Sequence, residues 1–445
     1  MRRLLVAASF ALLALGACDK APAAPAEVKK DTSALADIQV VTSPGGVTAW
    51  LVSESFVPII AVEMAWKGGA SIEPQGKDGL GWVLGYMMNE GAGDLDTTAY
   101  GARMEDLNMG FGCPVWTDWT SCSMSTLKET ANDSFEMMRL AFAEPRFDQQ
   151  PIDRAKAEYT IDLREAETEP RTIANRAMLA ATIPGHPYAR YATPETVATI
   201  TRDDVVNFKN AMMTKDRLIV VVVGDITAEE LKPKLDQAFG SLPATSTLPT
   251  VTDAEPKPAP VEPVVKQLPI PQTLVTFSGP GLKRTDPDFY AAFTLNYILG
   301  GGGFSSRLTD DIREKKGLTY GIGTGLVTQP HFWRWSGSSS TKNESANEVV
   351  RLIKEHIAKL GAEGPTQKEL DDAKAYLTGA FPLNFDSNAK IAKNLMGFRQ
   401  DDLGVDYVAT RNDLINAVTL DDMKRVAATY MKPENFTFVM VGQPK

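Results

Sequence analysis

Two short apolar runs dominate the pattern along the chain, R-L-I-V-V-V-V-G from Arg217 and N-F-T-F-V-M-V-G from Asn435, each closed by a glycine. Such runs, too short for a helix and rich in β-branched and aromatic residues, predict buried strands. The same polar signal precedes both: Thr201-Arg-Asp-Asp before the first and Thr419-Leu-Asp-Asp before the second. Its aspartates stand where a helix N-terminus favours negative charge, so each predicts a capped helix. Displaced by 218 residues, Thr201 falls on Thr419, Met213 on Met431 and Gly224 on Gly442 without a gap. At the same displacement Ala155-Lys156-Ala157 falls on Ala373-Lys374-Ala375, inside helix-like segments. The chain therefore carries two copies of one unit, read as helix, helix, capped helix and buried strand.

Between the copies, residues 244–266 run A-T-S-T-L-P-T-V-T-D-A-E-P-K-P-A-P-V-E-P-V-V-K. Proline at that density blocks helices and sheet ladders and predicts an extended linker. Length alone would suggest about three domains, but the repeat divides the body into halves at 38–243 and 267–445. The fold class predicted is α+β: two homologous halves, each an antiparallel-rich sheet covered on one side by helices, able to close face to face around a chamber.

Ahead of the repeats, Met1 to Cys18 has a basic start at Arg2 and Arg3, an apolar run from Leu4 to Leu15, then Leu-Gly-Ala-Cys. That run is too short to span a bilayer and resembles a bacterial lipoprotein signal, with Cys18 as the lipidated first mature residue. An ordinary secretory signal cut near Ala17 is the alternative, and either leads out of the cytoplasm. Residues 19–37, rich in Ala, Pro and charge, read as a flexible tether. The expected place is the periplasmic face of a bacterial membrane, held by the lipid. Asp19 resembles an inner-membrane retention signal, and the choice between inner and outer membrane stays open. The net charge of −10, without basic and aromatic residues interleaved, argues against nucleic acid as a partner.

The other two cysteines, Cys113 and Cys122, lie in N-M-G-F-G-C-P-V-W-T-D-W-T-S-C-S-M-S. If Thr117 and Asp118 form a two-residue hairpin turn, Trp116 faces Trp119 and Cys113 falls opposite Cys122. An oxidising compartment then allows a cross-strand disulfide. Two free, half-buried thiols are the alternative.

Residues Gly76 to Met87 read G-K-D-G-L-G-W-V-L-G-Y-M. The segment resembles the entrance to the metal-binding helix of the pitrilysin and insulinase family of zinc peptidases, where a G-K-x-G-L-x stretch leads into His-x-x-Glu-His. Ser71-Ile72-Glu73-Pro74 is similar to the family's S-x-E-P, and His186-Pro187-Tyr188 to its H-P-Y. The resemblance puts Trp82, Gly85 and Tyr86 at the His, Glu and His positions, and counting on to the family's further carboxylate reaches Asp162. An indole, a hydrogen and a phenol cannot grip Zn²⁺ or accept a proton from its water. Only His186, His331 and His356 exist, and no two are one helical turn apart. No metal is expected on this chain, and an active zinc peptidase acting alone fails on ligand count. Residues 107–122 correspond to the family's substrate-pairing edge strand, where Pro114 removes one donor.

A second set of family residues is retained. Gly300 to Tyr320 reads G-G-G-G-F-S-S-R-L-T-D-D-I-R-E-K-K-G-L-T-Y. The segment predicts a helix capped at Ser305 or Ser306, stopped at Gly317 and followed by a strand from Tyr320. It is similar to the family's R-E-K-x-G-L-x-Y signature, whose Arg and Tyr bind substrate carbonyls and stabilise the oxyanion in the opposite half. Those roles fall on Arg313 and Tyr320. A helix-end arginine paired with Asp310 or Glu314, and a tyrosine packed at a strand start, is the plainer reading. The resemblance implies a zinc-free subunit of a two-chain metalloendopeptidase, with extended peptides as substrate and a zinc-binding homologous subunit as partner. A catalytically inactive peptide-binding or scaffold lipoprotein is the alternative.

Overall fold

The computed structural model describes residues 37–445. Cys18 and the tether, apart from Asp37, lie outside the described residues. The first half contains β1 (Gln39–Thr42), β2 (Thr48–Ser53), β3 (Ile59–Lys67), β4 (Gly110–Gly112), β5 (Trp119–Leu127) and β6 (Leu218–Gly224). Its helices are α1 (Leu80–Met87), α2 (Thr97–Asp106), α3 (Ala131–Ala143), α4 (Gln149–Ala166), α5 (Pro170–Thr182), α6 (Pro194–Ala198), α7 (Arg202–Met212) and α8 (Ala228–Phe239). The second half contains β7 (Val264–Gln267), β8 (Gln272–Pro280), β9 (Thr319–Gln329), β10 (Phe332–Lys342) and β11 (Thr437–Gly442). Its helices are α9 (Phe289–Asn296), α10 (Ala346–Glu363), α11 (Gln367–Gly379), α12 (Asn388–Gln400), α13 (Tyr407–Asn416) and α14 (Leu420–Tyr430).

Each half builds one mostly antiparallel sheet, ordered β1-β2-β6-β3-β5-β4 in the first and β7-β11-β8-β10-β9 in the second. The parallel pairs are β2 with β6 and β7 with β11. The strand β7 starts inside the expected linker, because Val264 and Val265 pair with Val439 and Met440. Hydrogen bonds tie the rest of the linker down, among them Ala254 N to His331 O at 2.8 Å and Lys257 N to Thr182 O at 2.7 Å.

The unbroken apolar runs are explained by burial on both faces. In β6, Val220 and Val222 enter the core of the first half, while Val221 and Val223 belong to a cluster with Leu395 and Met396 of α12. In β11, Phe438 and Met440 face the core of the second half, and Val439 and Val441 pack with Ala174, Ala177 and Met178 of α5. Helices on one side only is thus corrected: each half also lends one helix to the outer face of the other half's sheet. The exchanged helices are repeat equivalents, since Pro170 displaced by the repeat length falls on Asn388. Reciprocal exchange welds the halves through apolar contact, with Leu395 fully buried.

Candidate functional site

The site begins with Glu73, whose buried carboxylate accepts hydrogen bonds from Gly79 N at 2.9 Å and Gly81 N at 2.6 Å. It satisfies free donors at the start of α1, where Gly79 holds a φ of 102° that a side chain would strain. Burial outweighs these bonds and pushes the Glu73 pKa up to about 7.

On α1, the metal positions of the resemblance are filled by packing. Trp82 stacks on Tyr159 of α4 with ring centroids 4.2 Å apart and planes 6° apart, and on Tyr86 at 5.5 Å. The Tyr86 hydroxyl accepts from Arg154 Nε at 3.2 Å, and Arg154 also pairs with Glu90. Burial raises the phenol's pKa above its usual value, which keeps it protonated and a poor ligand. A Cβ added at Gly85 would stand 2.6 Å from the carbonyl oxygen of Cys113, and one at Gly81 would stand 2.6 Å from Val115 Cγ1. The hairpin from β4 to β5 therefore rests directly on α1. Asp162 lies exposed on α4, and no group of three or more His, Cys, Asp or Glu side chains among the described residues could hold a metal. The donor set does not fit zinc.

The hairpin has the expected register. Gly110 pairs with Ser125, Gly112 with Ser123 and Val115 with Thr120, so the turn is Thr117-Asp118 and Cys113 meets Cys122 in a disulfide. The free-thiol alternative is thereby set aside in this structure. Pro114 breaks the ladder after Gly112, and its carbonyl still accepts from Ser121 N at 3.0 Å.

Arg313 and Tyr320 sit elsewhere. The helix expected between Ser305 and Gly317 forms over residues 307–315, after a tight turn over Gly303–Ser305, but winds as wide π-type turns over Thr309–Lys315. Ser306 Oγ bonds Thr309 Oγ1 at 3.1 Å, and Gly317 closes the segment with a φ of 63°. Arg313 lies over the Phe304 ring at 4.5 Å and pairs with Glu314 at 3.3 Å. Tyr320, at the start of β9, is 84% exposed rather than packed. Among the described residues no hydrogen bond joins Arg313 to Tyr320.

A polar network between the halves had no local signal in the sequence. Asp118 at the hairpin turn accepts from the Tyr188 hydroxyl, which in turn accepts from His331 N at 3.3 Å. Burial raises the Asp118 pKa, opposed chiefly by the Tyr188 bond and by His331. His186 is structural: its Nδ1 accepts from Tyr188 N at 3.2 Å, and its Nε2 lies 3.0 Å from Thr252 O. Beside the network opens a cavity of about 660 Å³ that takes Lys67, Trp116 and Asp118 from the first half and Lys283, His331 and Trp333 from the second.

These features define a two-halved peptidase-like fold whose metal positions hold no ligands. Comparison with known proteins agrees. The peptidase M16 inactive domain matches residues 199–377. The chain is 24% identical over 396 residues to the "Non-peptidase homolog YmxG" of Helicobacter pylori, covering 87% of this chain and 90% of that protein. It is likewise 24% identical over 411 residues to a Bacillus subtilis protein described as a zinc protease, YmxG, covering 91% and 98%. A crystal structure of a peptidase M16 inactive domain from Pseudomonas fluorescens superposes with a TM-score of 0.85 at 24% identity, covering 92% of this chain and 98% of that one. The chain thus has the M16-type fold.

Proposed function

We propose that this chain is the non-zinc-binding subunit of a two-chain M16-type metallopeptidase. It binds extended peptide and presents Arg313 and Tyr320 to the zinc site of a homologous partner. One contrast carries this reading: the metal positions Trp82, Gly85 and Tyr86 are packed shut, while Tyr320 stands out into solvent without a hydrogen-bond partner for its hydroxyl among the described residues. In such a pair the partner's zinc would supply the activated water. Arg313 would release Glu314 to orient a peptide carbonyl, and the Tyr320 hydroxyl would donate to the developing oxyanion. The lipid on Cys18 would keep the pair at the periplasmic face of a bacterial membrane.

Reconstitution tests this. The purified mature chain should hold no zinc and cleave nothing, and should raise peptide cleavage when mixed with a homologue from the same genome that retains His-x-x-Glu-His. A mixture no faster than the homologue alone refutes the proposal. The second reading, a scaffold or peptide-binding lipoprotein, draws on one observation: Arg313 is already engaged by Glu314 and Phe304.

A further inference from the structure

A chain of net charge −10 contains two adjoining cavities without a carboxylate in their walls. The larger, about 500 Å³, lies between α5 and the outer face of the second sheet. The smaller, about 210 Å³, lies between α5 and the segment carrying Tyr188 and Arg190. Asn175 and Arg334 line both, so the two form one path. Four arginines are distributed along it: Arg171 in the larger cavity, Arg334 at the junction, Arg176 and Arg190 in the smaller.

Their charges are only partly compensated, Arg171 lying within electrostatic reach of Glu169. Arg190 has a contact to Asp78 at 3.5 Å, whereas among the described residues Arg171, Arg176 and Arg334 take part in no ion pair. Arg334 donates only to the neutral Gln329, Oε1 at 3.3 Å, and lies over the Phe332 ring. Its burial depresses its pKa without a nearby carboxylate to oppose the shift. An arginine desolvated in this way gains most from an anion brought to it.

The floor is built for a backbone. In register across the sheet, Gly325 pairs with Ser336, Gly323 with Ser338, and Ser338 with Thr276, which places small side chains side by side on one face. Thr276 Oγ1 is buried there without a hydrogen-bond partner. Met178, Leu274 and Val327 supply apolar wall. A compact anion would fill one end only. An extended chain carrying several carboxylates can meet cations at more than one place along the path, with apolar surface beside them.

We propose that this path binds an extended acidic peptide, with Arg334 at its centre and Arg171 at its open end. It rests on the peptide-binding reading above but requires neither zinc nor partner, so the loss of the two-chain peptidase would leave it standing. The test uses the mature chain alone and a fluorescent peptide alternating Glu with Val, compared with its Gln-for-Glu counterpart. The Glu peptide should bind tighter by about tenfold or more, as expected for charge-assisted bonds. Arg334→Gln and Arg171→Gln should each erase most of that difference. Arg171 is exposed, so its variant keeps the test valid if the Arg334 variant fails to fold. Equal affinity for the two peptides overturns the proposal, as does unchanged binding by the Arg171 variant. Displacement by inorganic phosphate at concentrations that leave salt controls unaffected, with no preference for the Glu peptide, also overturns it in favour of a small-anion site.

Discussion

Gly85→Ala is the sharpest probe of the closed metal position. In an unobstructed helix the change should stabilise, since alanine is favoured over glycine by about 1 kcal/mol. At position 85 the new Cβ would lie 2.6 Å from the Cys113 carbonyl oxygen, far inside van der Waals contact. The obstacle is backbone, and the Cys113–Cys122 bond anchors it to β5, so it cannot retreat cheaply. Overpacking of this kind costs roughly 1–3 kcal/mol, which exceeds the propensity gain or at best cancels it. Gly101, in the middle of α2 with nothing within 4 Å of its Cβ position, supplies the control. Urea denaturation of the mature chain should show Gly101→Ala more stable than the parent by roughly 0.5–1 kcal/mol, with Gly85→Ala unchanged to about 2 kcal/mol less stable. If both variants are stabilised equally, the hairpin does not rest on α1 and the closed-site argument fails. The same clash explains why writing His-x-x-Glu-His back into this helix should not restore zinc binding: the Glu has nowhere to go.

Reduction of the Cys113–Cys122 bond should lower stability by roughly 2–3 kcal/mol, and thiol titration of the unreduced, denatured mature chain should find neither cysteine free. Burial pushes the folded Glu73 pKa up to about 7 from its ordinary 4.5, so the folded state binds the extra proton between those values. Its contribution is therefore fully present below about pH 4.5 and lost as pH rises through 7, by roughly 3 kcal/mol at most. The stability difference between the parent and Glu73→Gln should accordingly vary through that window and level off above it; a constant difference would show that Glu73 does not titrate there. Leu395→Ala should cost roughly 2–5 kcal/mol and speed hydrogen exchange in β3 and β6, the strands α12 covers; exchange confined to α12 would mean that the lent helix is not part of the first half's core.

Much of this architecture was legible because repeats keep spacing. The match from Thr201 to Gly224 on Thr419 to Gly442 placed α7 with α14 and β6 with β11, and hairpin counting set Cys113 opposite Cys122 without deciding whether they bond. The exchange of α5 and α12 was not legible. An amphipathic helix announces that it will be covered, not which of two equivalent sheets it will cover, although β6 and β11 hinted at a second cover by lacking polar alternation. The wide turn at Thr309–Lys315 was hidden because its sequence suits an ordinary helix, and the strand Val264–Gln267 was hidden behind prolines. Trp82, Gly85 and Tyr86 told what the site lacks, whereas only the fold shows Tyr159 and the Cys113 carbonyl filling it. The arginine path was invisible, since Arg171, Arg176, Arg190 and Arg334 come together only when the halves do.

The central claim, that this chain completes another chain's site, is tested most directly by Tyr320→Phe in the reconstituted pair. Loss of one oxyanion donor should lower kcat by about 10²–10³-fold, with KM and the affinity between the chains nearly unchanged, because the exposed hydroxyl bonds no other group among the described residues. A kcat equal to that of the unaltered pair would contradict the account and leave the chain a scaffold.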